Sequence, residues 1–198
     1  MKPYQYQPLV QKDAIRLIGL QPSPDKEAKV RCKIVHTTLS ACGYDIIDHY
    51  TALSYVWGNA SKTVKIEVEG RDLDVTVNLD SALRHMRDAV RSRWVWADAI
   101  CINQQDNEEK GHQVGQMAEV YKMAHHTIIY LGHSNTDLDK WITIMTSQDV
   151  LQTLDQGRLK ASESHELDFF RTQTRLALQR DWFKRVWVLQ ELVFSKDP

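Results

Sequence analysis

Residues Trp94 to Gly132, WVWADAICINQQDNEEKGHQVGQMAEVYKMAHHTIIYLG, constrain the fold more than any other stretch of this chain. Trp94 to Cys101 is apolar at nearly every position, the pattern of a strand covered on both faces. The run stops at Asn103, and Asn103 to Asn107 is a loop of amides and a carboxylate. Val114, Met117, Ala118, Tyr121 and Ala124 then recur at helical spacing and predict a helix that buries this stripe. Thr127 to Leu131, closed by Gly132, predicts a second buried strand. Strand, helix and strand in this order predict a right-handed βαβ unit. Ligands of such units bind at the carboxyl ends of the strands, where Asp98 to Gln104 fall.

Upstream, Ala14–Leu20 and Val30–Leu39 read as strands separated by the turn-rich QPSPDKEA. Residues 41–49 carry no clear pattern. Tyr50 to Trp57 is a strand ending at the turn Gly58-Asn59. Val64, Ile66 and Val68, then Leu73, Val75 and Val77, alternate around Glu69 to Asp72 as a hairpin with one solvated face. Leu79, Ala82, Leu83, Met86 and Val90 form a helical stripe with Asn78 as N-cap. Downstream, Leu138, Trp141, Ile142 and Met145 mark a helix, residues 152–165 a polar loop or insertion, and Leu167 to Arg180 a further helix. A last helix is expected from Asp181, as its cap, to Phe194. A β-rich N-terminal third followed by alternating strands and helices predicts an α/β fold.

Composition narrows the function classes. A chain of 198 residues, 42% hydrophobic, supports one good core or two small ones. A formal net charge of -1 argues against a nucleic-acid or anionic-membrane surface. No apolar run reaches membrane-spanning length, and the first ten residues do not form a signal peptide. Cys32, Cys42 and Cys101 are widely spaced and make neither a disulfide framework nor a zinc cluster. The expected compartment is the reducing cytoplasm. The histidines show no metal spacing, and no glycine-rich phosphate loop is present. The chain stops just after a helical pattern, as expected of the N-terminal part of a longer protein.

Few residues offer chemistry. Trp187 and Glu191 are four apart and share a helix face, flanked by Arg185 and Gln190. A carboxylate beside an indole can have its ionisation disfavoured or shape a sugar slot. Spacing alone favours the plainer reading, with Trp187 in the core and Glu191 paired to Lys184 or Arg185 at the surface. Asp98 interrupts an apolar strand, which costs several kcal/mol unless it is paired. It is equally a ligand contact or a loop cap paired with an arginine. Asn103 and Gln104 orient a ligand or satisfy a turn. Ser54, Trp57 and Gly58 sit at another strand end, and Ser54 lacks the Gly-x-Ser-x-Gly setting of a nucleophile elbow.

Three motifs carry a family resemblance: YTALSYVWG at Tyr50 to Gly58, WADAICINQQDNEEKGHQVGQMAEVYKMA at Trp96 to Ala124, and RDWFKRVWVLQEL at Arg180 to Leu192. In this order they resemble the heterokaryon incompatibility (HET) domain of filamentous fungi, over roughly Ala14 to Ser195. The resemblance implies a role in non-self recognition that ends in regulated cell death. The order of strands and the closing Trp-x-x-x-Glu also resemble TIR domains. That resemblance implies a TIR-like, mostly parallel sheet flanked by helices, with an N-terminal β element and a β-hairpin added. The whole would be one domain, a β-rich extension over 1–49 and a core over 50–198. In TIR domains that hydrolyse NAD, the Glu of Trp-x-x-x-Glu is catalytic. Carried over, this makes Glu191 catalytic and Trp187, Trp57 and Gly58 walls of a slot for NAD or a related nucleotide. Ser54, Arg185 and Gln190 would lie beside it, and Asp98, Asn103 and Gln104 would shape a loop controlling access. NAD is then substrate, with no cofactor or metal. Self-association completes the site, and C-terminal regulatory domains or a partner protein control it. The alternative is a non-catalytic signalling or oligomerisation module; a hydrolase using Asp98 lacks a second metal-binding acid.

Overall fold

The computed structural model describes residues 1–42, 50–133, 135–145 and 164–196. Two compact units emerge, one of Met1–Gly132 with Val186–Pro198, the other His133–Arg185. Most of the unpatterned stretch 41–49 and of the polar stretch 152–165 lies outside the described residues. Among the described residues, no helix is long and apolar enough to cross a membrane.

The first unit is built on one seven-stranded sheet. Its strands are β1 (Ala14–Leu20), β2 (Arg31–Thr38), β3 (Thr51–Tyr55), β4 (Thr63–Val68), β5 (Arg71–Thr76), β6 (Arg93–Trp96) and β7 (His126–Tyr130). They lie in the order β5-β4-β2-β1-β6-β3-β7. The β2/β4, β3/β6 and β3/β7 pairs are parallel, and β1 runs antiparallel to both neighbours. With helices flanking this mixed sheet, the fold is α/β, as the residue pattern predicts. The β4–β5 hairpin turns at Glu69 and Gly70, whose φ values of 51° and 74° are the left-handed pair that a tight two-residue turn demands.

Helices α1 (Leu39–Cys42), α2 (Val77–Met86), α3 (Asp98–Cys101) and α4 (Asn107–Met123) belong to this unit, as does α7 (Val188–Val193). Three local expectations change. The cap of α2 is Thr76, whose hydroxyl accepts from Leu79 N–H, because Asn78 is already helical and donates to Val56 O. Val90 lies beyond α2 and is exposed, since the helix ends at Met86. The strand expected over Trp94–Cys101 stops at Trp96, where Asp98 opens α3 by accepting the N–H of Ala99. The predicted buried strand Thr127–Leu131 is His126–Tyr130, and it forms the sheet edge with only Thr127 fully covered.

In the second unit, α5 (Thr136–Met145) packs on α6 (Ser164–Leu178), and Trp141 Nε1 donates to Thr174 Oγ1 at 2.9 Å. The single helix expected over Asp181–Phe194 is broken. A 3-10 turn covers Asp181–Lys184 with Arg180, not Asp181, at its cap, and Arg185 leaves it in extended backbone (φ -81°, ψ 136°). Asp181 pairs instead with Lys184 at 2.7 Å.

Every residue of the central strand β1 is buried, so both faces of the sheet are covered there. One of these residues is Arg16, with no exposed surface. Its guanidinium forks onto Glu109 of α4, Nη1 to Oε1 at 2.6 Å and Nη2 to Oε2 at 2.9 Å. It also donates to Cys101 O and Gln7 O, and stacks over Tyr6 at 5.0 Å. One turn further along α4, Gln113 donates to Ala14 O at 2.9 Å, so α4 is fastened to the start of β1. Burial works against the Glu109 charge, but hydrogen bonds from Arg16 and from Asn103 N–H outweigh it and hold the carboxyl below its usual range.

Removing one partner of such a pair costs about 3–5 kcal/mol. Arg16→Met is therefore expected to lower stability by that amount in urea titration, with only part of the loss recovered in Arg16→Met/Glu109→Leu, because Cys101 O and Asn103 N–H still lack these partners. The folded pKa of Glu109 lies below its unfolded value, so its stabilisation is complete above the ordinary Glu pKa of about 4.3 and disappears as pH falls through the lower folded value. Wild type and Glu109→Gln should differ in urea midpoint at pH 7 and converge under acid.

Candidate functional site

Strands β6, β3 and β7 are parallel, so the segments following β3 and β6 leave the sheet at the same end. That end is where open α/β sheets place ligands. The β3 segment brings Ser54, Trp57 and Gly58, and the β6 segment brings Asp98 and Gln104. Trp57 Nε1 donates to Asp98 Oδ2 at 2.8 Å, and Gln104 Nε2 donates to Asp98 O at 3.0 Å. Asp98 is thus half-buried in a helical turn, holding an indole with one oxygen and the Ala99 N–H with the other.

Gly58 has φ +73°, a conformation that costs a residue with Cβ about 1–2 kcal/mol. A Cβ there would also lie 2.7 Å from the Asn78 amide nitrogen, which donates to Val56 O. The left-handed backbone at Gly58 thus sets the direction in which the chain leaves Trp57.

Glu191 comes to the same strand from the other end of the chain. It is 1% exposed, and one carboxylate oxygen accepts from the Ser54 hydroxyl, a contact between residues 137 positions apart. Glu191 is therefore buried and not at the surface, and Trp187 does not take the core position expected of it. Trp187 is 46% exposed and stands at the N-cap of α7, although Glu191 N–H still bonds Trp187 O at 3.1 Å. Helix α7 is seated by Val188, by the Ser54–Glu191 contact, and by Ser195, which bonds both Glu191 O and Thr127 Oγ1.

The structure therefore joins Ser54 to Glu191, and Trp57 to Asp98 and Gln104. Gln190 is half-buried on α7, and Arg185 belongs to the second unit. Asn103 belongs elsewhere. Its N–H donates to Glu109 at 2.7 Å, its side-chain oxygen accepts from Gln105 N–H, and it lines a cavity of about 360 Å³ between residues 6–12 and the start of α4. Sequence reasoning passed over Arg16, Glu109, Gln113 and Tyr6 of this neighbourhood. The signal was present: Arg16 interrupts AIRLIGL just as Asp98 interrupts its own apolar run, and Glu109 and Gln113 share one face of α4.

Residues 50–191 match the family model described as "Heterokaryon incompatibility protein (HET)". The chain is also 30% identical, over 223 aligned positions, to "Heterokaryon incompatibility protein 6, OR allele" of Neurospora crassa. That alignment covers 92% of this chain and 32% of the relative, so the chain spans about a third of the relative's length. No solved structure matches the chain.

The turn at Gly58 yields a direct test. Gly58→Ala should lower the urea midpoint by at least the equivalent of about 1–2 kcal/mol at unchanged slope. Adding Asn78→Ala removes the clash but not the strained φ, so only part of the loss should return. Full recovery would show that the turn does not need glycine.

Proposed function

Because the chain belongs to the heterokaryon incompatibility (HET) family, we propose that it acts in heterokaryon incompatibility, as a cytoplasmic domain whose activation kills the cell. The reaction we propose for it is hydrolysis of NAD at the nicotinamide–ribose bond. The observation that carries this reading is a buried carboxylate, Glu191, bound to Ser54 near the carboxyl end of β3, the strand whose exit also carries the Trp57–Asp98 pair. In the reaction the C1′–N bond breaks and nicotinamide leaves as a neutral molecule. A water oxygen bonds to C1′, and one proton is released with ADP-ribose. The leaving group starts with a positive charge on nitrogen, so bond cleavage needs no strong general acid. The developing oxocarbenium charge needs a fixed anion close by, which is the part Glu191 plays. Ser54 holds that carboxylate in place, and Trp57 and Gly58 wall the slot. Asp98 and Gln104 brace Trp57, while Trp187 and Gln190 face substrate once the site is assembled. Glu191 is sealed in the single chain, so substrate reaches it through a shift of α7. Self-association supplies that shift, under control of C-terminal regulatory domains or a partner protein.

A second reading has its own support. Val186, Trp187, Leu189, Val193 and Phe194 present exposed apolar side chains around one short helix. Such a row suits a non-catalytic signalling or oligomerisation module in which Glu191 only ties α7 to β3.

Nicotinamide release from NAD, measured with the protein dilute and under induced clustering, separates the two. The expected result is release by clustered wild type and at least a hundredfold less by Glu191→Gln, which keeps the size of the side chain and can still accept from Ser54. Cell killing by folded Glu191→Gln at the wild-type level, with no nicotinamide released by either protein, would decide for the interaction module.

A further inference from the structure

The loop that carries Asp98 is held from behind by charges that do not reach the strand-end surface. Arg16 Nη1 donates to Cys101 O at 3.0 Å, and Glu109 Oε1 accepts from Asn103 N–H at 2.7 Å. These two anchor points bracket the exit from α3, with Ile102 between them. Tyr6 Oη adds a third bond to the same turn, at Ile100 O, 2.9 Å away. From there the connection is short. Gln104 reaches back to Asp98 O, and Asp98 holds the Trp57 indole.

We propose that Arg16 and Glu109 are positioning residues for the strand-end site. They act through the backbone of Cys101 and Asn103 to fix Asp98 and, through it, the plane of Trp57. The inference rests on reading this strand end as the ligand site. The chemistry explains why charges occupy the centre of an apolar strand. A well-packed apolar pair is often as stable as a buried ion pair, but it offers nothing to Cys101 O or Asn103 N–H, so a buried carbonyl and a part-buried N–H would lose these partners. Only a planar fork engages a carboxylate through two nitrogens and still reaches two carbonyls, so lysine is no substitute for Arg16. Glu109 serves both sides, since its Oε1 takes the fork and the loop N–H together.

The test follows the Trp57 indole N–H by NMR in protein labelled with 15N-tryptophan, its signal assigned with Trp57→Phe. In Arg16→Lys and in Glu109→Gln, the Trp57 signal should move or broaden and exchange faster with water, while the Trp141 signal of the second unit stays in place. Glu109→Gln keeps the shape and one acceptor oxygen, so it remains informative if Arg16→Lys does not fold. Clustered variants should show KM for NAD raised about tenfold or more, the scale of effect expected when a binding wall is slightly misplaced. A purely structural pair would lower the urea midpoint and leave both the signal and KM as in wild type. An unmoved Trp57 signal in the folded variants overturns the proposal, whatever the turnover. A moved signal with no turnover by clustered wild type sinks NAD cleavage alone and leaves the positioning of the loop standing.

Discussion

The fork between Arg16 and Glu109 is the interaction on which the organisation of the first unit depends. It joins the middle strand of the sheet to the first turn of its longest helix, between residues 93 positions apart. A hydrophobic contact in the same place would be indifferent to register, because apolar burial is non-directional. A guanidinium that must meet a carboxylate, two carbonyls and a tyrosine ring tolerates one register only. Asp106 supports the arrangement by accepting from the N–H groups of Glu108 and Glu109, which fixes where α4 begins and hence where Glu109 points.

The same logic governs the opposite side of β3, with a different balance. There the joining contact is a hydroxyl on a carboxylate, and the element it holds, α7, has six residues and much exposed apolar surface. A short helix has little stability of its own and depends on its contacts. The first unit thus combines a firmly braced loop after β6 with a short helix, α7, tied to β3 through Ser54 and Glu191. A braced loop together with a displaceable helix suits both an enzyme that opens on activation and a module that exchanges partners.

Sequence legibility followed the strength of local pattern. Ala14–Leu20 is recovered residue for residue, because a dense apolar run between turn-forming residues leaves little choice. The hairpin is equally plain, since its alternation and its Glu-Gly turn agree. Asp98 stands out as anomalous, but its neighbours Ala97, Ala99 and Ile100 fit a strand and a helical turn equally well, and the backbone bonds of Cys101 to Ala97 O and of Ile102 to Asp98 O make it a helical turn. The final segment misled for the opposite reason. Its helical spacing from Trp182 to Phe194 is genuine on both sides of a break at Arg185, and spacing does not reveal a change of backbone direction. The resemblance puts Ser54 and Glu191 at one slot, but nothing in either local sequence points to their direct contact across the intervening chain.

The order of the sheet also bears on how the protein is made. The central strand is the first of the seven to be synthesised, and its two neighbours arrive at very different times: β2 after one short connection, β6 only after the hairpin and α2. At ribosomal rates the interval between the end of β1 and the start of β6 is roughly 4–15 s. Throughout it one edge of an almost wholly apolar strand is open, with an arginine whose partner does not yet exist. That unpaired charge in the middle of the edge is a disincentive to pairing with another chain, as inward-pointing charges are on natural sheet edges. The residue that locks the finished fold thus also guards the nascent one.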